Sequence, residues 1–65
     1  MQEIKQEAVQ PLLLTVSQVA EMLSLGRTKV YELIATEGLP VVRFGKAVRV
    51  SPTSLQQWLE RRQSA

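Results

Sequence analysis

The sequence predicts a mainly α domain with one small antiparallel β-hairpin, and three observations carry that reading. Apolar residues recur at helical spacing around Val16–Leu23, Val30–Ile34 and Leu55–Leu59. A helix-starting residue stands ahead of each of these segments: Thr15, Gly26 and Ser51. Residues 41–50, "VVRFGKAVRV", alternate apolar and polar instead, as half-buried strands do.

The first helix is expected from about 16 to 24. Thr15 and Gln18 have the spacing of a capping box, in which the hydroxyl accepts the Gln18 N–H and the Gln18 side chain reaches back. Leu14 is placed to staple onto Val19, and Val16, Val19, Ala20 and Leu23 form the inward face. "SLG", residues 24–26, breaks the period. A second helix then starts near Arg27 with Gly26 as a weaker cap and Leu25 as its staple to Val30. Val30, Leu33 and Ile34 make its buried stripe, Thr28, Glu32 and Ala35 lie opposite, and Tyr31 and Lys29 flank it. Gly38 and Pro40 end this helix. Ser51 and Pro52 are a cap followed by the favoured first-turn proline, opening a third helix with Leu55, Trp58 and Leu59 inward. Trp58 is read as core, and Arg61 and Arg62 as last-turn cations suited to the helix dipole.

In the hairpin, a two-residue loop at Gly45 and Lys46 pairs 44 with 47 and sets Arg49 beside Val42, whereas a three-residue loop, 45–47, pairs 44 with 48 and 43 with 49. The longer loop is expected, because it gathers Val42, Phe44, Val48 and Val50 on one core face and leaves Arg43 and Arg49 on the other. The two arginines then oppose each other across the strands, a repulsive placement that makes sense beside an anion.

Sixty-five residues make one domain, in which folding removes only about 60% of the extended surface from water. The expected organisation is a flexible N-terminal tail over 1–11, a domain over 12–62 and a C-terminal tail over 63–65. The absence of Cys and His removes thiolate and imidazole chemistry, disulfides and the usual zinc ligands, and the six acids stand singly. The reading is therefore non-enzymatic, with no metal or other cofactor and no small-molecule ligand. No apolar run approaches the ~20 residues of a membrane span, and the polar, acidic N-terminus is unlike a secretion signal, so a cytoplasmic, nucleoid-associated place in a bacterial cell is expected.

Net charge is only +2, but it is unevenly spread. Arg27, Lys29, Arg43, Lys46 and Arg49 fall between positions 27 and 49 beside only Glu32 and Glu37. A local cluster of this kind suits a polyanion, since neutralising phosphates releases counterions.

Two helices joined by a three-residue turn, then a hairpin, then a closing helix is the order of a winged helix-turn-helix. From Val16 to Ala35 the sequence resembles the helix-turn-helix motif of bacterial DNA-binding proteins. Ala20 fits the small position where the helices cross, and Val19, Leu23, Leu25, Val30 and Leu33 fit the apolar ones. Ser24 departs from the pattern, standing where glycine is usual. Over Leu14–Leu59 the chain resembles the small excisionase-type domains related to the MerR winged-helix group. These share an L-T-V start, an R-x-x-V-Y-x-L-I helix, an L-P turn, a V-R-x-G-x-x-x-R hairpin and a closing tryptophan. Arg27, Val30, Tyr31, Leu33, Ile34, Leu39, Pro40, Val42, Arg43, Gly45, Arg49 and Trp58 occupy those positions.

That resemblance implies double-stranded DNA as the partner, with the second helix entering the major groove by its N-terminus. Arg27 is expected on a phosphate or a guanine, and Thr28 on a base edge. Lys29 and the Tyr31 hydroxyl are placed on the flanking backbone, and the uncapped N–H groups after Gly26 on a phosphate. Gly45 goes with the wing, whose Arg43, Lys46 and Arg49 are expected at the neighbouring minor groove. The role implied is that of an excisionase of a mobile genetic element. Such a protein binds and bends attachment-site DNA, works with a tyrosine-type integrase and self-associates along the DNA. A small transcriptional regulator at an operator is the alternative.

Overall fold

The computed structural model describes residues 12–64; the expected tail over 1–11 lies outside them. The chain runs β1 (Leu14–Thr15), α1 (Val16–Leu23), α2 (Arg27–Thr36), β2 (Val42–Phe44), β3 (Ala47–Val50) and α3 (Pro52–Ser64). This is a winged helix-turn-helix: three helices with a small three-stranded antiparallel sheet. No helix among the described residues is long and apolar enough to cross a membrane.

Two of the three helices begin where a side chain receives a first-turn N–H group. At α1 the capping box is complete: Gln18 N donates to Thr15 Oγ1 over 3.1 Å, and Thr15 N donates to Gln18 Oε1 over 2.8 Å. At α3, Ser54 N donates to Ser51 Oγ over 3.3 Å, with Pro52 at the first helical position. At α2, Gly26 is extended and offers no side chain. The helix α3 continues through Gln63 and Ser64, past the boundary expected at 62.

The turn between α1 and α2 closes on Ser24, which adopts the left-handed conformation at φ 59° and ψ 42°. Ser24 N donates to Glu21 O over 3.1 Å, and Leu25 N donates to Ala20 O over 2.8 Å, the paired bonds of a Schellman termination. The last turn of α2 is closed by Glu37 N and Leu39 N, both donating to Leu33 O, at 2.9 and 3.3 Å, with Gly38 at φ 76° between them.

One core joins β1, β3 and the three helices. Leu14, Val16, Val19 and Ala20 meet Val30 and Leu33 of α2, Leu39 beyond it, Val50 of β3, and Leu55 and Trp58 of α3. Leu23, Ile34, Val41, Val48 and Leu59 pack at its margin. Of the two expected staples, Leu14 and Val19 are both buried, whereas Leu25 is left 40% exposed above Val30.

The hairpin departs from expectation. Its loop has two residues, Gly45 and Lys46, and the register pairs Val42 with Arg49, Arg43 with Val48 and Phe44 with Ala47. Gly45 stands first in the loop at φ 60° while Lys46 needs no positive φ, which fits a type II′ turn. Strand β1 was not foreseen. It adds Leu14 opposite Val50 and Thr15 opposite Arg49, making β3 the central strand. Directly paired residues share a face, so Leu14, Val50, Val48 and Arg43 lie on one face and Thr15, Arg49, Val42, Ala47 and Phe44 on the other. Val50 and Leu14 are in the core, which makes the first face the inner one. Val42 and Phe44 are therefore not core residues, and the two arginines neither pair nor share a face.

Candidate nucleic-acid interface

Positions 26–29 form a continuous exposed run: Gly26, Arg27, Thr28 and Lys29. The helical turn explains why the run ends where it does, since Val30 must face the core and is fully buried. Tyr31, one residue on, is again exposed, at 52%. The first amides of α2 meet no side-chain cap at Gly26, so this helix end keeps its partial positive charge uncompensated by any acid in its first turn. Lys29 Nζ lies 3.5 Å from Glu32 Oε1, with both side chains about half exposed. A surface pair of this kind holds its partners weakly, so Lys29 stays available to another anion. Arg27 also lines an open depression of about 330 Å³ with Ser17, Gln18, Ala20, Glu21 and Leu25, between α1 and the start of α2.

On the wing, Arg43 and Lys46 are exposed, as is Gly45 in the turn. Arg49 differs from them. It is only partly exposed and lies on the central strand, and its Nη1 donates to the main-chain oxygen of Val48 over 2.8 Å. Arg43 projects from the inner face beyond the core, while Arg49 lies on the outer face between Thr15 and Val42. The three cations thus do not form a single row. The turn Gly45–Lys46 separates the two strands that bear them, and Lys46 occupies the tip.

The residue that sequence reasoning missed is Phe44, 59% exposed beside that tip, with Val42 behind it at 40%. The signal that finds it is the alternative two-residue loop at Gly45 and Lys46: glycine first in such a loop suits a type II′ turn, and that turn fixes the register that sends both side chains outward.

Residues 13–63 match the family described as helix-turn-helix domain. The chain is 40% identical over 50 residues to a probable excisionase of Saccharopolyspora erythraea, which covers 77% of this chain and 51% of that protein. It is 38% identical over 52 residues to an excisionase of Streptomyces ambofaciens, covering 80% of this chain and 84% of the relative. The chain therefore spans about half the length of the first relative and most of the second. No solved structure matches it.

Proposed function

The chain belongs to the helix-turn-helix domain family as an excisionase-type DNA-binding protein, and from that premise we propose that it grips duplex DNA with the leading end of α2 and the tip of its wing. The carrying observation is the unbroken exposed run Gly26–Lys29 at a helix start that has no acid and no side-chain cap. In this reading Arg27, Lys29, Tyr31 and the amides after Gly26 hold phosphates, and Thr28 reads a base edge. Arg43 and Lys46 anchor the wing at the neighbouring groove, with Gly45 shaping the turn and Arg49 as a lesser contact.

The role we assign is architectural: the protein acts without catalytic chemistry of its own, on several adjacent sites at an attachment region in the bacterial nucleoid. Bending such a site costs a few kcal/mol, offset by added contacts in both grooves. A tyrosine-type integrase is the partner that such bending serves, and contacts between neighbouring copies order the array. The pattern of residues from Leu14 to Trp58 supports the finer placement among MerR-like winged domains.

Footprinting across the DNA flanking the protein's own gene tests this reading. Head-to-tail protected sites beside an integrase gene are the expected result. A single pair of inverted half-sites at a promoter would replace it with the regulator reading, and no protection at low salt would remove both.

A further inference from the structure

The outer face of the wing leaves an aromatic ring exposed beside the cationic tip, in a domain with little apolar surface to spare. Burying a phenylalanine is worth about 1.5–3 kcal/mol, and this fold leaves Phe44 59% exposed. Across from it is Ala47, small and half-buried, so the ring stands clear of its cross-strand neighbour's bulk. Lys46 at the tip follows within two positions and Arg49 shares the face, while the exposed Arg43, one residue before, lies on the inner face. From Gly38 to Leu59 the chain carries Arg43, Lys46 and Arg49 and no acid at all.

We propose that Phe44 is an apolar contact to the duplex, its ring entering a groove against base or sugar edges while Lys46 at the wing tip holds a neighbouring phosphate. The inference rests on the duplex-binding reading above and adds to it a contact that is not electrostatic. Charge selects this occupant over a second copy of the chain, because the wing carries Arg43, Lys46 and Arg49 and no acid, so two wings brought together would oppose cation to cation. A polyanion whose grooves expose apolar edges supplies what the face lacks, and side chains such as Phe are used in this way at kinked base steps.

The test compares wild type, Phe44→Ala and Lys46→Ala on a random-sequence A·T-rich duplex over a series of salt concentrations. Phe44→Ala is expected to weaken binding by about tenfold, the scale of one aromatic–base contact, while leaving the slope of log K against log salt unchanged. Lys46→Ala should instead reduce that slope by about one. Because Phe44 is exposed, the thermal midpoint of Phe44→Ala should match wild type, and Phe44→Trp should bind like wild type, with its added emission quenched on DNA. If wild type binds and Phe44→Ala binds equally well, this inference fails while the DNA reading stands; if wild type itself does not bind at low salt, the DNA reading fails. Sedimentation showing wild type self-associating without DNA and Phe44→Ala monomeric would assign the face to a protein contact and overturn the proposal.

Discussion

The indole Nε1 of Trp58 donates to the main-chain carbonyl of Glu37 over 3.1 Å, tying the closing helix to the residue that ends α2. Trp58 is otherwise buried, 6% exposed, so one side chain supplies both core volume and a polar anchor. The same Glu37 carboxylate accepts from Arg62 Nη1 over 3.1 Å, and the Arg62 guanidinium lies 4.7 Å from the centre of the Trp58 ring. These contacts fix the far end of α2, and with it the direction in which its leading end points.

Trp58→Phe should therefore cost about 1 kcal/mol, the net value of an ordinary hydrogen bond, plus a little for lost ring volume. Trp58→Ala should cost about 3–5 kcal/mol through the cavity it leaves, enough to unfold much of so small a domain. Urea unfolding followed by circular dichroism checks both. A Phe variant as unstable as the Ala variant would mean that the hydrogen bond, rather than the packing, dominates.

The ion pair is a weaker matter. Both side chains are 47% exposed, so solvent screens the attraction, and a double-mutant cycle on Glu37→Ala and Arg62→Ala should give a coupling below about 1 kcal/mol. Raising the salt concentration should shrink that coupling further. A larger, salt-insensitive coupling would indicate that stacking on Trp58 orders the pair.

Ser24→Gly should stabilise the domain. A non-glycine residue in the left-handed region costs about 1–2 kcal/mol, and Ser24 sits there at φ 59°. Glycine removes that cost but has more freedom to lose on folding, so a net gain of about 0.5–1 kcal/mol is expected. In a domain of this size that raises the thermal midpoint by several degrees, about 4–8 °C per kcal/mol. A lower midpoint would show that the serine hydroxyl contributes something beyond the backbone turn.

Ser24 also shows where a sequence is legible. Its departure from glycine was visible in the chain, and the strain followed from the turn that the flanking helices require. The capping box at Thr15 and the Ser51–Pro52 start were readable for a similar reason, since both depend on residues three apart or adjacent. The wing register was not legible from apolar alternation, because alternation sends every apolar strand residue to the core. Only Val50 and Val48 go there; Val42 and Phe44 follow the two-residue turn outward. Strand β1 escaped notice because two residues, Leu14 and Thr15, carry no period, and their pairing partners lie 34 or more positions away. That 26–29 stand outside the buried stripe was legible through helix periodicity, and their assignment to DNA rests on the family resemblance, whereas the unequal standing of Arg43, Lys46 and Arg49 needed the register.

That inequality yields the last prediction. Arg49 is partly buried on the central strand and already donates to the Val48 carbonyl, so engaging a phosphate requires it to give up or share that bond. Lys46 is exposed at the turn with no such commitment among the described contacts. In a salt series on a random duplex, Lys46→Ala should reduce the slope of log K by about one, and Arg49→Ala by distinctly less. Arg49→Ala should instead appear in the unfolding midpoint, through the lost main-chain bond and the aliphatic stem packed on the sheet. Thr28→Ala is the control on the other element: it should leave the slope intact and narrow the ratio between preferred and random duplex, because a hydroxyl at a base edge carries sequence information and no charge. Equal slope losses for Lys46→Ala and Arg49→Ala would mean that the Arg49 side chain swings away from Val48 on binding, and that the two faces of the wing meet DNA together.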